Sequence, residues 1–152
     1  MTTLTHGDGQ DLLAAFKRGW EKRDPDTILA LFARNAEYRD EPFEEPLSGS
    51  NAIRALWNEI CARQAHIEVD AERIWVSGRS VLASFHAAYT LRATAERRRV
   101  RGFMTFELDE DGLVERYRCW PAERAVGTDS TLAPELGSAS DASMEVGAAD
   151  GR

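Results

Sequence analysis

Long hydrophobic runs are missing from this sequence. The longest unbroken apolar stretch, Ile28 to Ala33, is six residues, against the roughly 20 that a membrane span requires. The first residues, MTTLTHGDGQD, have neither a basic start nor an apolar segment, so no signal peptide is expected. A soluble, cytoplasmic protein is the resulting expectation. Cysteine is scarce: Cys61 and Cys119 are the two present, and both fall among apolar residues. They read as buried thiols in a reducing compartment, not as a disulfide. His, Cys and carboxylate residues show no metal-ligand spacing, and no glycine-rich phosphate loop follows a strand.

Positive charge is also in short supply. The net charge is −7. After Gly127 the chain carries Asp129, Glu135, Asp141, Glu145 and Asp150 against Arg152, so the preceding body is only mildly acidic. That balance argues against nucleic acid as a partner. One basic cluster exists, Arg92, Arg97, Arg98, Arg99 and Arg101. It reads either as a phosphate site or as a solvated hairpin end whose arginines face Glu107, Asp109 and Glu115.

What the sequence does contain is a helical first half and a β second half within 152 residues, a one-domain length. Asp8 is the expected N-cap of a first helix, followed by Leu12, Phe16 and Trp20 at four-residue spacing. Asp24-Pro25 opens a second helix, with Ile28, Leu31 and Phe32 as its buried stripe and Asn35 near its end. Pro42 and Pro46 interrupt the segment that follows. A third helix starts near Ser50, with Ile53, Leu56, Trp57, Ile60 and Cys61 on one face.

From His66 the period changes to two. Ile67 and Val69 alternate with polar residues, and Val81, Phe85, Tyr89 and Leu91 oppose Ser84, His86 and Thr90. Val100, Met104, Phe106 and Leu108 then alternate with Arg99, Arg101, Thr105 and Glu107. Asp109 to Gly112 forms a hairpin turn, and Leu113 to Trp120 the last strand. Three helices followed by a meander of antiparallel strands is an α+β layout. Residues 127–152, rich in Gly, Ala, Ser and Asp and free of aromatics, are expected to be a disordered acidic tail.

The stretches AFKRGWEKRDPDTILALFARNAEYRDEPF, EPLSGSNAIRALW and RGFMTFELDEDGLVERYRCW resemble the SnoaL-like branch of the NTF2-like superfamily. Its members include ketosteroid isomerases, polyketide cyclases and limonene epoxide hydrolases. The resemblance spans residues 8–125, read as one domain. It implies a cone, a curved sheet wrapped around helix 1, whose mouth admits a small apolar molecule. It also implies a homodimer formed through the outer sheet face near His86, Thr90 and Arg99, and no cofactor.

Matched to the ketosteroid isomerases, the catalytic base falls on Asp40, while the two oxyanion donors fall on Phe16 and Met104. Neither Phe nor Met can donate a hydrogen bond, and each missing donor costs about 3–4 kcal/mol in transition-state stabilisation. The epoxide hydrolases need an Asp-Arg-Asp relay; Arg101 and Arg118 are available, without a matching second aspartate. The implied pocket is lined by Phe16, Trp20, Phe32, Trp57, Met104, Tyr117 and Cys119, with Asp40 as its acid. Glu41, Glu44 and Glu45 are expected to be solvated, and His86 to face outward. Two readings remain open: a cofactor-independent isomerase, cyclase or lyase using Asp40, and a non-catalytic ligand-binding or dimerisation module whose cone is filled.

Overall fold

The computed structural model describes residues 3–126, and every structural statement below concerns those residues; the expected acidic tail lies outside them. The chain runs α1 (His6–Glu21), α2 (Pro25–Leu29), β1 (Phe32–Arg39), β2 (Leu47–Ser48), α3 (Ser50–Arg63), β3 (Gln64–Ser77), β4 (Ser80–Leu91), β5 (Arg97–Leu108) and β6 (Val114–Val126). The strands form one curved sheet in the order β2-β1-β6-β5-β4-β3, an α+β fold of the NTF2-like type. No helix is long and apolar enough to cross a membrane.

Each helix has a local cause. α1 begins one turn earlier than Asp8 suggests, because Thr5 is the N-cap and Asp8 its reciprocal partner. The Asp8 N–H donates to Thr5 Oγ1 at 3.1 Å, and the Thr5 N–H donates to Asp8 Oδ2 at 2.8 Å. α2 is capped by Asp24 with Pro25 in its first turn, as expected, but stops at Leu29. Leu31, Phe32 and Asn35 do not extend it. Phe32 opens β1, in which Phe32, Ala36 and Tyr38 are buried and Asn35 and Glu37 are exposed. A helical stripe and a strand with one covered face look alike over so short a stretch, and pairing with β6 decides between them.

The expected meander is present from β3 to β6, each pair antiparallel. β1 makes the sheet mixed, because it runs parallel to β6 with Tyr38 opposite Tyr117 and Arg39 opposite Arg118. β6 continues to Val126, six positions past Trp120. The inner faces of β4, β5 and β6 contribute Val81, Phe85, Tyr89, Val100, Met104, Phe106, Tyr117 and Cys119 to the core, against Leu12, Leu13 and Phe16 of α1. Burying each large apolar side chain stabilises the fold by about 1.5–3 kcal/mol.

The outer face is polar, apart from the exposed indoles of Trp75 and Trp120 beside Phe103, and carries His86. The basic cluster pairs with acids other than those expected: Arg97 with Glu68, Arg98 with Glu96 and Glu123, and Arg101 with Glu72. Strand register decides this, since Glu107 is taken by Arg116.

Gly102 marks a close cross-strand approach. A Cβ there would lie 2.6 Å from the Trp120 carbonyl oxygen, 3.0 Å from Pro121 Cα and 3.1 Å from Phe85 Cε1. Two of these neighbours are backbone and cannot swing aside. Gly102→Ala should therefore cost about 1–3 kcal/mol in urea denaturation. Gly7→Ala, whose nearest neighbour would be Thr5 Oγ1 at 3.6 Å, should be neutral or stabilising by up to about 1 kcal/mol. Equal midpoints for the two variants would contradict this account of the sheet.

Candidate functional site

β1 delivers two residues to the concave side of the sheet by the two-residue repeat of a strand. Tyr38 is buried, and Asp40, just past the strand end, follows on the same face. Parallel pairing sets Tyr38 against Tyr117, and their rings stack at 4.5 Å. α1 supplies Phe16 and Trp20, and α3 supplies Trp57. Phe16 meets Trp20, Trp57 and Tyr117 with centroids 5.7–6.1 Å apart, contacts worth about 0.5–1.5 kcal/mol each beyond area burial.

These rings do not fill the cone. They wall a cavity of about 390 Å³ that opens past Glu41, Glu44, Arg63 and Glu123. Of the residues expected to line it, Phe16, Trp20, Trp57, Tyr117, Cys119 and Asp40 do so. Phe32 and Met104 do not. Phe32 packs behind the wall against the rings of Tyr38 and Tyr117. Met104, fully buried, lies toward the α1–β3 side beside Leu13, Val69 and Ile74. Glu41 and Glu44, expected to be merely solvated, stand at the mouth.

Sequence reasoning missed Tyr38, Gln64, Phe85, Tyr89 and Glu123 as lining residues. The signal for Tyr38 was its two-residue spacing from Asp40, legible only once residues 32–39 are read as a strand. Arg101 and Arg118 both point out of the sheet, opposite in phase to the buried Met104 and Cys119. An Asp-Arg-Asp relay therefore cannot assemble in the cavity from these arginines.

The electrostatics follow from the apolar walls. Burial raises the Asp40 carboxyl to about 6, and the Glu44 charge adds to the rise. A hydrogen bond from the Tyr38 hydroxyl and the Arg63 charge pull the other way. Part of Asp40 still meets solvent through the mouth, but its remaining surroundings are protein. Burial also pushes the Tyr38 and Tyr117 phenols up, each further opposed to ionising by neighbouring negative charge. The Cys119 thiol rises to about 12, from burial first and the Asp40 charge second. Near neutral pH the inner cavity thus holds neutral hydroxyl and thiol groups around a single acid that titrates close to neutrality. Cys61 and Cys119 are both buried free thiols. Among the described residues, no three His, Cys, Asp or Glu side chains converge as metal ligands would.

A family model described as a SnoaL-like domain matches residues 13–117. The chain belongs to the SnoaL-like family. No curated protein matches it significantly in sequence. Solved structures share the SnoaL-like fold at low identity. One is SalBIII, an epoxide hydrolase/cyclase-like enzyme in pyran ring formation in the polyether salinomycin; it is 18% identical, with a TM-score of 0.71, covering 80% of this chain and 98% of its own. Another is an LEH-like epoxide hydrolase of M. tuberculosis, 21% identical, with a TM-score of 0.65 and coverage of 76% and 84%. A third is a computationally designed 17-OHP binder, 17% identical, with a TM-score of 0.69 and coverage of 78% and 98%. Proteins described as enzymes and one described as a designed binder thus share this fold, so function has to be argued from the cavity.

The raised Asp40 pKa has a consequence for stability. Between about pH 4 and 6 the folded chain holds a proton on Asp40 that the unfolded chain has released. Stability therefore falls as pH rises through that window, and the full penalty, at most about 3 kcal/mol, persists above it. Asp40→Asn removes the penalty. The variant should melt above wild type at pH 8, with the gap closing by pH 4 in thermal scans. A variant less stable than wild type at pH 8 would identify Asp40 as a structural carboxylate instead.

Proposed function

We propose that this SnoaL-like protein is a cofactor-independent acid–base catalyst, with Asp40 moving a proton next to a carbonyl of a small, flat, mostly apolar molecule. The observation that carries the reading is the carboxyl held at about 6 inside an aromatic-walled cavity. A base is most effective when its pKa lies near the working pH, because it is then largely ionised yet still basic. A cavity of this size and lining suits a compact ring system with few polar handles.

The chemistry requires one base and somewhere for charge to go. The Asp40 carboxylate takes a proton from the carbon beside the carbonyl, and the C–H electron pair moves onto the carbonyl oxygen as an enolate. Isomerisation returns the proton at another carbon. Cyclisation instead sends the electron pair to a second electrophilic carbon of the same molecule. Elimination expels a leaving group. Tyr38, kept neutral by burial, stands beside Asp40, and its hydroxyl favours the carboxylate against the rise that burial imposes.

A second reading, a binding module without chemistry, draws on Phe16 and Met104. The resemblance to the isomerases matches these two positions to the oxyanion donors, and neither side chain can donate.

Deuterium exchange distinguishes the two. With 2-tetralone in D₂O, proton NMR should show loss of the α-protons accelerated by wild type above buffer, rising with pH through about 6, the pKa of the base, and lost in Asp40→Asn. Exchange at the buffer rate in wild type, or unchanged in the variant, would leave only the binding module.

A further inference from the structure

Gln64, at the start of β3, is the one buried amide or charged side chain among the described residues, 6% exposed, and it lines the cavity. Its orientation is set by a neighbour that has no choice. Trp20 Nε1 lies 2.8 Å from the Gln64 side-chain oxygen, and an indole nitrogen can only donate. The atom facing Trp20 must therefore be the acceptor Oε1, and the amide nitrogen is turned the other way. The backbone of Gln64 is held as well, since its carbonyl accepts from Arg23 Nη1 at 3.2 Å.

The Nε2 group, with two N–H donors, has no hydrogen-bond partner among the described residues, yet it is not sealed in the protein interior. Trp57 Nε1 makes the contrast clear. It makes no hydrogen bond, and it is fully enclosed by protein atoms. Water and ligands do not reach it. They reach Gln64.

We propose that Gln64 is the cavity's ligand-reading donor, and that it selects a neutral oxygen acceptor, such as a ketone carbonyl, over a carboxylate. Charge at the lining decides between those acceptors. Glu123 is already paired with Arg98, which leaves Asp40, Glu41 and Glu44 at the lining against Arg63, so an anionic ligand meets net repulsion in a partly desolvated space. A neutral carbonyl meets two amide N–H groups already oriented by Trp20, with no side-chain ordering left to oppose binding. The inference rests on the reading of this cavity as the ligand site, but not on Asp40 being catalytic. It gives the ligand two polar positions, one served by Gln64 and one by Asp40, on an otherwise apolar frame.

The test uses three probes of similar shape at pH 8, where Asp40 is ionised and cannot donate: 2-acetylnaphthalene, 2-isopropylnaphthalene and 2-naphthoate. Binding is followed by quenching of the protein's tryptophan fluorescence and by calorimetry. Wild type should bind the ketone about tenfold more tightly than the hydrocarbon, the worth of a well-made hydrogen-bond contact, and the naphthoate most weakly. Gln64→Glu, ionised at this pH, keeps an acceptor for Trp20 but has no donor; the ratio of its ketone to hydrocarbon affinity should fall to about one. Gln64→Met should do the same if it folds.

A readout without any variant is the ¹⁵N side-chain amide pair of Gln64, which should shift with the ketone and not with the hydrocarbon. A ketone preference that survives Gln64→Glu, or that disappears only in Asp40→Asn, would overturn the assignment while leaving the cavity as the binding site. Binding of none of the probes by wild type would overturn both the assignment and the reading of the cavity on which it rests.

Discussion

The parallel pairing of β1 with β6 is the constraint on which the rest of this structure depends. Tyr38 falls opposite Tyr117 and Arg39 opposite Arg118, so the chain leaves the sheet with Asp40 on the concave side, close to Cys119. A one-residue slip would turn Tyr38 and Asp40 outward and bring arginines inward. Stacking of the two tyrosine rings and the packing of Phe32 behind them hold the register. The exposed polar residues of β1 oppose a slip for the same reason, because burying Glu37 or Arg39 unpaired would be costly.

Once that register is set, the chemistry of the cavity follows from what surrounds the carboxyl. Aromatic rings supply shape and exclude water, but they cannot solvate a charge, so Asp40 is driven toward its neutral form. Tyr38, Tyr117 and Cys119 stay protonated for the same reason. The cavity therefore combines mutual dryness with a single proton-exchanging group, and it places its charged residues at the mouth. Arg63 and Glu44 at that mouth act on Asp40 in opposite directions, which holds its pKa between the extremes that burial or pairing alone would give.

Much of the fold was legible in the sequence, and the exceptions have physical reasons. α3 and the strands from β3 to β5 have long, consistent periods, 3.6 or 2, that admit one interpretation. The segment from Leu31 to Asn35 does not. A five-residue helix and an eight-residue strand meet there, and pairing with β6, some eighty positions away, determines where one gives way to the other. Misreading that segment also hid Tyr38, whose place beside Asp40 is a strand property. Within the lining, Phe16, Trp20, Trp57, Tyr117 and Cys119 were legible as inward-facing residues of regular elements. Phe32 and Met104 were inward too, but at a depth in the core that periodicity does not encode. Gln64 carried no signal as a polar residue at a helix end, since its meaning comes from Trp20, 44 positions earlier.

The central claim is that an apolar cavity holds the Asp40 carboxyl near neutrality, and titrating that carboxyl tests it most directly. Carbon-detected NMR of the side-chain carboxyls, with Asp40→Asn supplying the assignment, gives its pKa in the intact protein. The account predicts a midpoint of about 6. A midpoint at or below the ordinary aspartate value of about 4 would mean that Asp40 is hydrated or held by hydrogen bonds as an anion. The cavity would then lack the base that its geometry suggests.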